Sequence, residues 1–452
     1  MRLDITQKNL LNRLISYLPD EKILKEYSSP SSFDLERREV FRSKYPRCDY
    51  AAIYHRGKIL IIPTWHPLNT VTPVHHGADY GSGVFEGGSA EPVIQDGKLV
   101  GANIILLNPK MRRMFDRSLP TRNLKIAVSL KYYIQALIDF ITVQGKPLYN
   151  GKQGYRRAYI RPVARPAVNL GLKVDIPYTS HIDIAIESFY WPSYLTRDPE
   201  DAYHGKGAIA EALAQQRLQP ITGKHSSNYG PVGPLTAVAK EKGGDEAILF
   251  APFTSKDGRK DTIVNLHQDY ILEDRNVMDV LPDLSLADGP GEEIAVVNEE
   301  AKELWILPMR VNRLGGTTLE HIQNHIAPQL GLTVVERTFS INELRAEKDK
   351  GNHVCPVFVG NAIRVCPIGQ INIRDEKSNL KGSLEFEIPD TVRRMQEMYE
   401  AQVSGQVESG NPELLTPINL TEGNAARREL DRLYAAWFEP EYLAEVEQTM
   451  AA

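Results

Sequence analysis

The chain is short of cysteine: Cys48, Cys355 and Cys366 are its only three in 452 residues. An odd count without metal-ligand spacing argues against a disulfide scaffold and reads as buried small hydrophobes in a reducing compartment. Long apolar runs are missing as well, since none approaches the roughly 18 residues needed to span a bilayer, so no membrane partner is expected. The opening stretch MRLDITQKNLLNRLISYLPDEK carries charges inside its apolar pattern and has no small-residue cleavage site. It does not read as a targeting peptide, and a cytoplasmic location is expected. Basic excess is absent too: 53 Lys and Arg stand against 58 Asp and Glu, a net charge of -5, with no Lys/Arg stripe interleaved with aromatics. Nucleic acid is therefore not an expected partner, and a small substrate fits better. With 42% hydrophobic and 25% charged residues the composition is that of a globular protein, long enough for two or three units.

The texture changes along the chain. Residues 1–45 read as a charged helical extension, in which Leu10, Leu11, Leu14, Ile15 and Leu18 recur at helical spacing and predict an amphipathic helix packed on a neighbour. Residues 46–195 alternate short apolar runs with turn chemistry around one helix candidate, SLKYYIQALIDFITVQGK, which is α+β texture. The polar stretch PSYLTRDPEDAYHGKG is the best linker, over 196–207. A second domain over 208–385 alternates strands such as EAILFAPF and EEIAVVN with helices such as TTLEHIQNHIAPQLG, and a helical tail follows over 386–452. Both extensions are expected to pack across a dimer or cap a domain.

One short stretch stands apart. ITGKHSSNYGPVGP, residues 221 to 234, sets Lys224 among turn residues. A lysine does covalent chemistry when its amine is positioned and deprotonated, most commonly with a carbonyl substrate or with pyridoxal phosphate. That cofactor needs a phosphate cradle and an arginine, an acid for the pyridine nitrogen, and groups for the substrate carboxylate. LADGPGEEIAVV places Asp288 in a Gly-Pro-Gly turn before a strand, and RLGGTTLEHI opens a helix at Thr317 and Thr318. Taken singly, Asp288 also reads as a turn-former and the threonines as helix caps.

Taken together and in order, the segments DYGSGVFEGG, NPKMRRMFDRS, AYIRPVA, ESFYWPSYL, GKHSSNYG, ADGPGEEIAVV, GGTTLEHI and VGNAIRVCPI resemble the class IV (fold-type IV) pyridoxal-phosphate aminotransferases, most closely the branched-chain amino acid aminotransferases. The likeness spans about residues 50 to 375. It implies a two-domain α+β fold of the D-amino acid aminotransferase-like type, with helical N- and C-terminal extensions outside it, and a homodimer. It implies pyridoxal 5'-phosphate as cofactor and transfer of an amino group from a hydrophobic, branched-chain L-amino acid to 2-oxoglutarate. The alternatives are a lyase or a transaminase of D- or unusual amino acids on the same fold, or a non-catalytic binding protein with a decayed site.

Residue by residue, the resemblance makes Lys224 the Schiff-base lysine and proton-transferring base, Tyr229 the partner of the cofactor's phenolic oxygen, and Asp288 the partner of the pyridinium nitrogen. Arg113, Thr317, Thr318 and Asn361 fall in the phosphate and cofactor set. Tyr80, Phe85, Tyr159, Arg161, Trp191 and Tyr194 fall on the substrate walls, with Ala362 near the substrate carboxylate. The chain departs from the family where Asp288 replaces glutamate, Asn361 replaces threonine, Ser89 replaces arginine and Asp79 replaces histidine. Pro231 and Pro234 interrupt a usual helix, although Pro234 suits the first turn of one.

Overall fold

The structure, a computed structural model, describes residues 10–44, 48–69, 81–151, 154–155, 157–166, 182–190, 194–195, 203, 205–217, 223–254, 262–311 and 313–451. Asp79, Tyr80, Trp191 and most of the linker stretch lie outside the described residues.

An eight-stranded antiparallel sheet forms the first half. Its strands run in the order Leu415–Asn419, Lys98–Ile105, Gly88–Gln95, Ala158–Pro166, Ile182–Tyr190, Tyr50–His55 and Lys58–Pro63, and Val84–Phe85 pairs beside Ala158–Pro166. Two tight hairpins set its register. Arg56 and Gly57 have φ of 47° and 94°, Asp96 and Gly97 have 49° and 73°, and two successive positive φ values match the right-handed twist of the strands they join. The helix Leu130–Val143 starts where Ser129 accepts the Tyr132 N–H and buries Tyr133, Leu137 and Phe140 on this sheet.

A nine-stranded mixed sheet forms the second half. Ala208–Gln216 lies in the middle, parallel to both Glu246–Thr254 and Arg364–Arg374. Its other members include Val354–Gly360 and Glu293–Asn298, which are antiparallel neighbours buried almost end to end. Such continuous apolar runs are what a sheet covered on both faces requires. The helix Ile341–Asp349 begins with a capping box between Ser340 and Glu343. Among the described residues no helix is long and apolar enough to cross a membrane.

The N-terminal segment and the end of the tail are built into the first half, whereas the tail's first helix, Asp390–Val403, packs on the second sheet. Of the amphipathic helix, observed at Leu10–Tyr17, only Leu10, Leu14 and Tyr17 are buried, whereas Leu11 and Ile15 stay 47% and 71% exposed. Arg13 grips Asp139 with two bonds of 2.7 and 2.8 Å, and the Tyr17 hydroxyl donates to the same carboxylate at 2.8 Å. The tail is not purely helical, because Leu415–Asn419 adds a strand to the edge of the first sheet beside Lys98–Ile105. Alternation there is broken by Pro417, which hides the strand in the sequence. From the next helix, Leu420–Leu433, the fully buried Arg427 donates to Asp49 at 2.7 Å and Asp431 at 2.8 Å, and Tyr442 donates to Asp49 at 2.7 Å.

Removing one member of a fully buried ion pair leaves the other charge without a partner, at a cost of about 3–5 kcal/mol. Arg427→Ala should lower the unfolding free energy by that amount, read by circular dichroism as a lower urea midpoint with an unchanged denaturant slope; an unchanged midpoint would show that the tail is not integral to the first half.

Candidate active site

The Lys224 loop is fixed from three sides. Its backbone zips onto residues 81–86: Phe85 N–H donates to Lys224 C=O at 3.1 Å, Ser226 N–H to Gly83 C=O at 2.9 Å and Ser227 N–H to Gly81 C=O at 3.2 Å. Val84 and His225 form an isolated antiparallel bridge in the middle of this run. From the second side, Ser118 Oγ accepts the Lys224 N–H at 3.0 Å. A Cβ on Gly223 would sit 2.7 Å from the Ser118 Cα, so the loop can approach this closely only because residue 223 is glycine. From the third, His225 shares a 2.7 Å bond with Thr121, and burial pushes its imidazole down to about 4, which keeps it neutral at pH 7. After the loop, Pro234 opens the helix Gly233–Glu241 from its first turn, where a missing N–H costs nothing.

This framework presents the Lys224 amine, with Nζ donating to the Tyr229 hydroxyl at 2.8 Å. The same amine lies 5.2 Å from the Phe85 ring centre and 5.0 Å from that of Tyr229. It opens into a cavity between the two halves lined also by Arg113, Tyr159, Asp288, Thr317, Thr318, Asn361 and Ala362. With Lys224 and Tyr229, nine of the residues singled out in the sequence converge on one space, although they come from segments far apart in the chain.

The acidic side is crowded. Asp288 is 3% exposed; its Oδ2 accepts the Leu314 N–H at 3.2 Å while its Oδ1 is buried with no hydrogen-bond partner. Burial, with Glu293 adding repulsion and Arg217 and Arg313 opposing it, pushes this carboxyl up to about 7. Arg217 donates to Gly289 C=O at 2.6 Å and Arg313 to Glu293 at 2.6 Å, which fixes the turn around Asp288.

On the other side Arg113 is clasped by Glu86, with 2.8 and 2.7 Å bonds to its two carboxylate oxygens, and it donates to Gly315 C=O at 3.1 Å. Burial opposes its charge, but Glu86 more than compensates and holds the guanidinium protonated. Three of the five guanidinium N–H groups are thus used and two remain. Gly315, at φ 70°, and Gly316 lead into the helix Thr317–His321, whose first-turn N–H groups have no acceptor within the helix. A side chain at Gly316 would run into Glu293, since its Cβ would lie 1.9 Å from a carboxylate oxygen.

Three other sequence candidates sit elsewhere. Arg161 packs 4.7 Å from the Phe85 ring centre and donates to the Tyr159 hydroxyl at 2.9 Å, so Phe85 and Arg161 stand behind the cavity wall. Tyr194 does not line the cavity itself but stands behind Glu292, which does. Its hydroxyl reaches Glu246 at 2.8 Å and Glu292 at 3.2 Å. One phenol proton cannot serve two carboxylates fully, and burial, with repulsion from Glu246, pushes the Glu292 carboxyl well above its ordinary value. Sequence reasoning missed Glu86, Glu293, Arg217 and Lys110. The signal for Lys110 was its place one helical turn before Arg113, on the same helix face.

Solved structures share this fold. The branched-chain aminotransferase of Thermoproteus uzoniensis, solved with norvaline, superposes with a TM-score of 0.59 at 22% identity, covering 82% of this chain and 99% of that one. A T.th. branched-chain amino acid aminotransferase complexed with N-(5'-phosphopyridoxyl)-L-glutamate gives 0.57 at 19% identity, over 82% and 98%. The branched-chain amino acid aminotransferase of Thermobaculum terrenum in its PLP form gives 0.56 at 19% identity, over the same 82% and 98%. At these identities the shared property is the fold, which is the fold-type IV architecture the sequence suggested. No family model matches the chain, and no curated protein sequence does.

The raised Asp288 carboxyl makes stability depend on pH. Between the ordinary carboxylate value of about 3.9 and about 7, the folded chain holds a proton there that the unfolded chain has released, so this group's contribution is full below pH 4 and is lost as pH rises toward 7. Exhaustively dialysed protein should therefore lose stability across that window more steeply than Asp288→Asn, as read by urea midpoints at each pH; parallel curves would contradict the assignment.

Proposed function

We propose that the cavity holds pyridoxal 5'-phosphate and that the protein is an aminotransferase acting on amino acids and 2-oxo acids. The observation that carries this reading is the convergence in one cavity of a lysine amine bonded to a phenol, a buried acid with one oxygen unpartnered, and an arginine beside a Gly-Gly-Thr-Thr turn. These donors and acceptors fit the cofactor's aldehyde, ring nitrogen and phosphate in kind and number. The likeness in fold to enzymes solved with phosphopyridoxyl and PLP groups supports the same reading.

When bound, pyridoxal phosphate supplies a carbon at which amines exchange and a pyridinium ring that takes up the electron pair left at Cα when its proton departs. The rest is work for this chain. Lys224 Nζ anchors the cofactor and, once freed by the incoming amine, takes the Cα proton and hands it on. Tyr229, within 2.8 Å of that nitrogen, orients it and holds the neighbouring phenolic oxygen. Asp288 accepts the ring N–H⁺ at its unpartnered Oδ1. A cationic ring nitrogen there would offset the repulsion from Glu293 and favour the ionised carboxylate, which in turn would favour ring protonation. The aspartate is one methylene shorter than glutamate, and the bond from Leu314 N–H and the Arg217 and Arg313 contacts fix the turn that carries it.

Arg113 offers its two remaining N–H groups, and Thr317 and Thr318 their first-turn amides, to the phosphate. Glu86 holds the guanidinium in place and leaves the net charge of that pair near zero. Tyr159 and the Asn361–Ala362 loop face the substrate carboxylate, and Arg157 steadies the loop by donating to Ala362 C=O at 2.7 Å. Phe85 and Arg161 back this wall, with Tyr80 and Trp191 assigned to it from the sequence alone.

The amino donor in this reading is a hydrophobic, branched-chain L-amino acid and the acceptor 2-oxoglutarate, supported by the aromatic wall and by the names of the structural neighbours. The active form is a homodimer in the cytoplasm, built on domains 46–195 and 208–385. Lys224→Ala should abolish the absorbance of cofactor bound through the lysine and lower amino-group transfer by at least the roughly 10²–10⁴-fold that a positioned base contributes. Mixing loaded protein with single amino acids and following formation of the pyridoxamine form reads the donor directly. Conversion of the amino acid without that form would point to a lyase, and a fully active Lys224→Ala variant would overturn the reading.

A further inference from the structure

A second lysine enters the cavity. Lys110 is 2% exposed, with its stem packed among Ile104, Leu107, Leu137 and Ile160. Its Nζ donates to Ile105 C=O at 3.1 Å and to the side-chain oxygen of Asn361. Ser89 Oγ also donates to that oxygen, at 3.3 Å. An ammonium has donors only, so while Lys110 is protonated the atom it touches must be the amide oxygen, which sets the orientation of the Asn361 carboxamide. Its Nδ2 is left buried and without a hydrogen-bond partner, beside the cavity. Burying an unsatisfied N–H₂ is costly, and such an arrangement is explained when a ligand acceptor meets it.

We propose that Lys110 is a positioning residue, which with Ser89 turns the Asn361 carboxamide so that Nδ2 binds an oxyanion of the ligand, either the substrate carboxylate or the cofactor phosphate. This rests on the aminotransferase reading for the identity of the ligands, while the geometry of the Lys110–Asn361 pair stands independently of it. The groups that face Lys110 electrostatically are Glu86, which favours its charge, and Arg113 and Lys224, which oppose it. Burial is the largest influence and brings the amine down to about 7. Its charge is therefore present below neutrality and lost above it. A positively charged Lys110 polarises the amide it holds and strengthens the N–H₂ donors, so oxyanion affinity falls as pH rises through 7.

The test compares Lys110→Met, Asn361→Ala and the double variant, each checked for folding by circular dichroism. Equilibrium binding of pyridoxal 5'-phosphate to stripped protein reads the phosphate arm, and binding of 4-methylvalerate to loaded protein reads the carboxylate arm, both from pH 6 to 8.5. One arm should weaken about tenfold in each single variant and no further in the double variant, because both remove the same contact. The arm that weakens identifies the oxyanion. The fall of that arm's affinity near pH 7 should vanish in both single variants. Unchanged affinity in both arms of a folded Asn361→Ala protein, or additive losses in the double variant, would overturn the proposal. Should Lys110→Met fail to fold, the Asn361→Ala affinities and pH profile decide alone. Should the natural chain take up no pyridoxal phosphate, the aminotransferase reading fails, and inorganic phosphate binding by the same variants still decides the role of Lys110.

Discussion

Everything at this site depends on the backbone zipper between residues 81–86 and 223–227. It joins the antiparallel first half to the mixed second half through three main-chain hydrogen bonds, and the lysine loop has only the single 3-10 turn Ser226–Asn228 of its own. Main-chain bonds are set by chain geometry rather than by side-chain rotamers, so they fix the Lys224 Cα more tightly than packing of flexible side chains can. Ser118 and Thr121 add a third element to the joint, and the Glu86–Arg113 pair continues it toward the Gly315–Gly316 turn. A reactive amine at the meeting of two sheets is shielded by both and open to a ligand between them.

Charge balance follows from that placement. Lys224, Lys110 and Arg113 enter the cavity from the first half and the joint, while Asp288 and Glu293 approach from the second sheet. Arg113 and Arg313 are each neutralised by a glutamate, Glu86 and Glu293. Asp288 has no such cation bonded to it among the described residues, and burial and Glu293 push its carboxyl up. A cavity in this state is suited to a ligand that brings a cationic ring at one end and anionic oxygens at the other.

Much of this was legible in the sequence where local chemistry decides structure. The Ser129 cap and apolar spacing mark the helix Leu130–Val143, and Pro234 begins a helix where its missing N–H is harmless. The site was legible because separate segments, each weak alone, carry different parts of one chemistry. What stayed hidden depends on partners distant in sequence. Leu415–Asn419 becomes a strand only because the Lys98–Ile105 edge is there to pair with it, and Tyr194 takes up its place between Glu246 and Glu292 because buried carboxylates need proton donors. Lys110 looks like a surface helix residue until the packing of its stem is known, since lysines are rarely buried.

The central claim is that one lysine among many, held by the zipper, carries the cofactor. It is tested most directly by adding pyridoxal 5'-phosphate to the protein, reducing with borohydride and mapping the phosphopyridoxyl group by peptide mass spectrometry. The account predicts a single stoichiometric modification at Lys224. Label on Lys110 instead, or scattered over exposed lysines with Lys224 unmodified, would contradict it.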